Sequence, residues 1–183
     1  RKYMETYSFI KLLERPRKMG LGSAYKDGFT MSTGKIIVTM DADLSHNPIY
    51  LLNMVRKLVE EKYDVILGSR YIQGGVIEGW PISRKITSRV ANTMARLVLN
   101  IPVKDATTGY RVYTREAFDF VRRRSTCQHY DFQIESLYIL VKNGFKIGEY
   151  PIKFVNRKLG RSKLNIKEIY SFLLTILKLR ARR

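Results

Sequence analysis

The chain has 183 residues, 45% of them hydrophobic, and a single cysteine, Cys127. This is enough apolar material for one domain with its own core; it excludes a globally disordered chain, an internal disulfide and a cysteine metal cluster. Lys and Arg number 34 against 16 Asp and Glu, a formal net charge of +18 that calls for an anionic partner: nucleic acid, a membrane surface or phosphorylated small molecules. No uninterrupted apolar run approaches the roughly 20 residues of a transmembrane helix, and the lone thiol mildly favours a reducing compartment.

Segments of strand and helix character alternate along the chain. Tyr7 to Arg15 (YSFIKLLER) reads as a strand and its exit, and Gly22 to Ser32 (GSAYKDGFTMS) as a short helix. Gly34 to Asp41 (GKIIVTMD) lacks polar alternation, so it is expected to be a strand covered on both faces. Asn47 followed by Pro48 is a helix start, an N-cap before a proline in the first turn, and Ile49 to Tyr63 continues that helix. Asp64 to Tyr71 (DVILGSRY) is the next strand. A loop rich in glycine follows from Ile72 to Ser83, then a helix from Arg84 to Asn100, in which Ile86, Val90, Met94, Leu97 and Val98 form one stripe. Thr108 to Phe118 reads as a strand running into a helix, Phe132 to Gly144 as a helix stopped by its glycine, and Phe145 to Val155 as extended. Helices alternating with buried strands predict βαβ units, an α/β fold and a mainly parallel central sheet with flanking helices.

In open α/β sheets, ligands bind beyond the carboxyl ends of the strands. Asp41 and Asp43 follow such an end, in MDADLSHNP. An Asp-x-Asp pair suits a hard divalent cation, Mg²⁺ or Mn²⁺, which takes oxygen ligands and shares them with substrate phosphates. Taken alone, the pair is more often a capping or turn feature, and each arginine nearby more often a solvated charge. Their conjunction argues otherwise. Arg70 ends the next buried strand, Arg84 opens a helix with Ser88 one turn later, and Asn156 to Leu164 (NRKLGRSKL) forms another basic loop. Arginine forks and helix N-termini hold phosphate well, so the set suggests a metal-bound diphosphate flanked by a further phosphate. His46 is expected to cap or support the loop rather than ligate, His129 to be structural, and Trp80 to pack within its loop, with lipid or acceptor contact as the alternative. Two histidines and one cysteine give little support to a His/Cys metal site or a cysteine nucleophile.

The ordered set MDADLSHNP, GSRYIQGG, GWPISRKITSRVAN, KDATTGYRVYTRE, YDFQIESLYI and FVNRKLGRSKL resembles the dolichyl-phosphate mannose synthases of glycosyltransferase family 2, from about Phe9 onward. The resemblance implies the GT-A fold and transfer of mannose from GDP-mannose to dolichyl or another polyprenyl phosphate, with inversion, supplying protein glycosylation or GPI-type pathways. By carry-over, Asp41 binds near the ribose and metal, and Asp43 is the principal metal ligand and a catalytic residue. Ser45 occupies a position where relatives often have a metal-contacting Gln. Arg70, Arg84 and Ser88 are implied to hold the acceptor phosphate, the two arginines also acting in catalysis. Arg157, Ser162 and Lys163 are implied to close over the donor phosphates, and Asp105 to lie near the sugar. The acceptor is already an anion, so orientation and charge stabilisation suffice without a strong general base.

The last segment, Ile166 to Arg183, reads as an amphipathic helix of a membrane interface or, equally, a core-packing helix; it bounds a catalytic domain expected over residues 1–165. Family members begin with a strand carrying a P-x-Y-N-E-like element and a second strand ending in acidic residues. Neither occurs here, so a GT-A domain lacking an N-terminal βαβ portion is expected. Implied partners are the membrane surface and small membrane-anchoring subunits, at the cytosolic face of the endoplasmic reticulum in a eukaryote or of the plasma membrane in a prokaryote. Two alternatives stand: the same chemistry with UDP-glucose or another hexose donor, and a basic nucleic-acid-binding module. The second lacks any helix-turn-helix, zinc-finger or RNP-like signature, and no nucleic-acid partner is expected.

Overall fold

The computed structural model describes residues 2–156 and 166–181. Its elements run α1 (Lys2–Thr6), α2 (Leu21–Met31), β1 (Ile36–Thr39), a 3₁₀ turn (Pro48–Tyr50), α3 (Leu51–Glu60), β2 (Val65–Ser69), β3 (Val76–Glu78), α4 (Ile82–Leu99), β4 (Arg111–Thr114), α5 (Arg115–Arg124), α6 (Phe132–Lys142), β5 (Ile147–Pro151), β6 (Lys153–Val155) and α7 (Ile166–Ala181). Four strands form a sheet in the order β1-β4-β2-β5, and β3 pairs with β6 in a small parallel ribbon. β2 and β5 are parallel, whereas β4 runs antiparallel to both neighbours. β1, β2 and β5 therefore point the same way, as the helix–strand alternation predicts, and β4 is inserted against them.

Every residue of β2 is buried, because β2 lies inside the sheet with helices on both faces. Val65 and Leu67 pack with α4, α5, α6 and α7 on one side; Ile66 packs with Met54 and Leu58 of α3 on the other. Burying the Met54 and Leu58 side chains contributes on the order of 1.5–3 kcal/mol each. The cap expected at Asn47 forms, its Oδ1 accepting from Ile49 N–H at the 3₁₀ turn that leads into α3; Thr114 Oγ1, accepting from Ala117 N–H, likewise caps α5.

Three expectations are corrected. Tyr7 to Arg15 is not a strand: Tyr7 N–H bonds to Tyr3 and Ile10 N–H to Tyr7, local turns with no ladder, and Phe9 is 78% exposed. A strand needs a partner, and β1 is paired only with β4 among the described residues. For the same reason β1 is not covered on both faces; its burial alternates and Val38 is 38% exposed. The stripe on α4 exists, but Ile86, Val90 and Leu97 face outward, together with Ile82. The helix instead buries Asn92, Ala95 and Leu99. At the chain's other end, α7 packs Ile176 and Leu179 into the main core, so this helix is part of the domain body.

Candidate active site

The acidic pair sits where β1 ends. Beyond Thr39 the chain turns through Asp41 to His46, and Leu44 adopts a left-handed backbone (φ 65°) that folds Ser45 back toward Asp43. Both the Ser45 N–H and its hydroxyl donate to Asp43 Oδ1. Ser45 is buried, so it holds the carboxylate from beneath. The imidazole of His46 accepts from the Asp41 N–H through Nδ1 at 3.1 Å, and lies between the rings of Tyr110 and Phe154, at 5.2 and 5.5 Å. Burial lowers the His46 pKa against the pull of Asp41, so the ring is neutral and fixes the loop. That is the supporting role expected of His46.

The basic side is built on β2 and α4. Arg70 follows β2 directly and is almost fully buried, its guanidinium making a two-pronged pair with Asp105: Nε to Oδ2 at 2.7 Å and Nη2 to Oδ1 at 2.6 Å. The Arg70 N–H also donates to Asp105 Oδ2 at 2.9 Å. Burial opposes the charge on Arg70, but Asp105 outweighs it and raises the pKa further. Asp105 is held in turn by Glu149 of β5, whose carboxylate accepts the N–H groups of Lys104 and Asp105. Trp80 stands between two arginines, with Arg84 3.9 Å and Arg70 5.2 Å from its ring centroid. Ser88 joins the group through Tyr71, whose hydroxyl donates to Ser88 Oγ at 2.8 Å. Trp80 is 8% exposed, in agreement with its expected packing role.

Thus Asp41, Asp43, Ser45, Arg70, Arg84, Ser88 and Asp105 converge on one end of the sheet, although 64 residues separate Asp41 from Asp105 in sequence. Arg157, Ser162 and Lys163 lie outside the described residues. Among the described residues no set of three His, Cys, Asp or Glu side chains could enclose a metal. Two carboxylates at a loop nevertheless fit a hard cation that completes its shell with substrate oxygens.

Several features of this region were not visible in the sequence, among them the role of Arg111, which ends the motif KDATTGYR. A cleft of about 430 Å³ beside Arg70 is lined by Arg89 and Arg96 of α4 and by Lys104. Only the helical spacing of Arg89 and Arg96, seven residues apart, hints at this. Arg111 is entirely buried without a carboxylate partner; it donates to the carbonyls of Ala106, Thr108 and Gln133 and to the hydroxyls of Tyr113 and Ser136. It thereby clamps the loop of Asp105 to the start of α6. Near Asp41 lies the Tyr25 phenol, whose pKa is pushed up by burial and then by the Asp41 carboxylate, leaving a protonated donor.

A profile of glycosyl transferase family 2 matches residues 1–122. The chain belongs to glycosyl transferase family 2. It is 37% identical over 166 residues to the polyprenol monophosphomannose synthase of Mycolicibacterium smegmatis, covering 87% of this chain and 62% of that protein. It is 36% identical over 162 residues to the undecaprenyl-phosphate mannosyltransferase of Micrococcus luteus, covering 85% of this chain and 65% of that protein. The chain thus spans a little under two thirds of each relative's length. Among solved structures, glucosyl-3-phosphoglycerate synthase of Mycobacterium tuberculosis, in complex with Mn²⁺, UDP and phosphoglyceric acid, superposes with a TM-score of 0.66 at 17% identity. That match covers 92% of this chain and 56% of the other. The fold is the GT-A fold that the sequence motifs imply.

Proposed function

We propose that this chain carries the catalytic core of a polyprenyl-phosphate mannosyltransferase, moving mannose from GDP-mannose to dolichyl or another polyprenyl phosphate with inversion. The observation that carries the reading is the convergence of Asp41 and Asp43 with Arg70, Arg84 and Ser88 at one sheet end. Family membership and the names of both relatives support it.

In this reading, Asp41 and Asp43 hold a Mg²⁺ or Mn²⁺ against the donor diphosphate, and Ser45 orients Asp43. The cation supplies Lewis-acid stabilisation of the departing nucleoside diphosphate. Arg84 and Ser88 bind the acceptor phosphate. Arg70 contributes through Nη1, since its Nε and Nη2 are committed to Asp105 and Thr107. Arg157, Ser162 and Lys163 are assigned to the donor phosphates on the resemblance alone. The acceptor oxygen is already anionic, so the arginines lower the repulsion between two phosphate groups and no side chain needs to remove a proton.

A lipid acceptor requires a membrane surface. Ile82, Ile86, Val90 and Leu97 project from one side of α4, with Arg89 and Arg96 exposed along its edge. An apolar face bordered by cations suits insertion among anionic headgroups. No described helix is long and apolar enough to cross a membrane. Docking through α4, aided by Tyr170 and Leu177 of α7 or by small anchoring subunits, would hold the enzyme on a membrane surface, which the resemblance assigns to the cytosolic face.

The test is sugar transfer by the full-length protein to a polyprenyl phosphate with Mg²⁺ or Mn²⁺, comparing GDP-mannose with UDP-glucose. Transfer from GDP-mannose is expected. Transfer from UDP-glucose alone overturns the donor, and transfer from neither overturns the function.

A further inference from the structure

One polar feature near Asp41 is not used by any contact described above. Gln133, in the first turn of α6, is 4% exposed, and its side-chain amide lies against the hydroxyl of Tyr25 on α2. Among the described residues neither side chain has a partner beyond this facing one. A Cβ placed on Gly109 would lie 3.3 Å from Tyr25 Oη, 3.4 Å from Gln133 Nε2 and 3.5 Å from Asp41 Oδ1. Groups from α2, α6 and the end of β1 therefore converge on one small volume that a glycine leaves open. Burying an amide with most of its hydrogen-bonding capacity unfilled is costly, and the backbone that carries this one is held in place: the Gln133 main-chain carbonyl accepts from Arg111 Nη2 and Ser136 Oγ. The Asp41 side chain is 41% exposed, so this group of polar atoms reaches solvent at its Asp41 end.

The chemistry of the pit selects its ligand. A phenol donates, a carboxylate accepts and an amide does both, which matches the hydroxyls of a polyol. Among the described residues, a phosphate would meet the Asp41 carboxylate with no free cation beside it, because the buried Arg111 is committed to carbonyls and hydroxyls. We propose that Tyr25, Gln133 and Asp41, around Gly109, form the subsite that binds the hydroxyls of the transferred hexose. This rests on the donor-sugar reading given above.

The experiment is calorimetric titration of the full-length protein with GDP-mannose and with GDP, each with Mn²⁺. Gln133→Leu and Tyr25→Phe remove one polar group each, and Gly109→Ala keeps all of them but fills the volume. Each variant should weaken sugar-nucleotide binding by roughly five- to tenfold and leave nucleoside-diphosphate binding unchanged. Gln133→Leu should melt within a few degrees of wild type, since it removes a buried amide whose hydrogen-bonding capacity is mostly unfilled. Unchanged GDP-mannose binding in the variants, or an equal loss for GDP and GDP-mannose, overturns the proposal. If wild type prefers UDP-glucose, the GDP-mannose reading falls, and the pit is tested identically with UDP-glucose and UDP. If wild type binds no sugar nucleotide more tightly than its nucleoside diphosphate, the subsite itself is refuted.

Discussion

Replacing Asp105 with alanine should be the most damaging single change at the site. Asp105 is 0% exposed and its side-chain partner Arg70 is 7% exposed, so the variant would leave a guanidinium in the interior without its counter-charge. It would also strand the Arg70 N–H and one partner of the Thr107 hydroxyl. Breaking a buried pair in this way costs about 3–5 kcal/mol. For a chain of this size, that lowers the melting temperature by roughly 10 °C. The assay is urea unfolding followed by circular dichroism, with the slope expected to match wild type so that the midpoint shift reports stability. The double variant Arg70→Met, Asp105→Leu should recover much of the loss, because neither charge is then buried alone. It should not recover sugar transfer, which separates the fold's need for the pair from the reaction's need for Arg70. An Asp105→Ala protein within about 1 kcal/mol of wild type would refute the claim that this pair is a buried structural contact.

Other consequences can be checked separately. Burial would raise the Glu135 pKa, but donors from Ser125, Thr126 and Cys127 hold it below the usual carboxylate range. The stability that Glu135 adds over a Glu135→Gln variant, about 2 kcal/mol, should thus be complete above pH ~4.3 and fade as pH falls below it, read by urea unfolding at several pH values. Burial, with Glu135 and Asp131 nearby, pushes the Cys127 thiol up, so iodoacetamide at pH 8 should label the native protein far more slowly than the urea-unfolded chain. Ile86→Asp with Val90→Asp should release the full-length protein from vesicles containing phosphatidylglycerol by more than tenfold while leaving its melting temperature within a few degrees, because both side chains are already exposed. Asp43→Asn, or chelation with EDTA, should abolish transfer; activity restored by added Mn²⁺ in wild type but not in the variant would assign the metal to this carboxylate.

The parts of this structure that were readable from sequence are those fixed by local pattern. β2 is an unbroken apolar run, and its burial follows from that composition. β1 has similar residues but sits at the sheet edge of the described residues, and edge or centre is decided by neighbours far away in sequence. The direction of β4 was hidden for the same reason: the strand was visible in TGYRVYTRE, its antiparallel insertion was not. At the site, Asp41, Asp43, Arg70 and Arg84 belonged to recognisable motifs, whereas the commitment of Arg70 to Asp105 depends on two loops 35 residues apart. Gln133, although within the motif YDFQIESLYI, and Tyr25 carried no signal of their own, since a buried glutamine or tyrosine in a helix looks like any packing residue in sequence. Their meeting beside Gly109 and Asp41 distinguishes them only in the structure.

A chain with so many cations faces a specific difficulty in keeping a carboxylate pair available. Any arginine that reached Asp41 or Asp43 would form a salt bridge and compete with a metal for the same oxygens. Among the described residues, aromatic rings stand between the Asp41 loop and the arginines of the site, although the charges still act on one another across them. Phe154 is the centre of the partition: it meets His46 at 5.5 Å on the acidic side, and Trp80 at 5.3 Å and the Arg70 guanidinium at 5.5 Å on the basic side. Trp80 holds Arg84 against its face, and Asp105 holds Arg70, so each of these arginines has a partner of its own on the far side of the wall. His46 Nδ1 holds the Asp41 backbone N–H, and the Ser45 hydroxyl donates to Asp43 Oδ1, so neutral groups help to orient this loop. In the proposed reaction, an anionic donor carrying its own cation would approach one side of this wall while an anionic acceptor approaches the other.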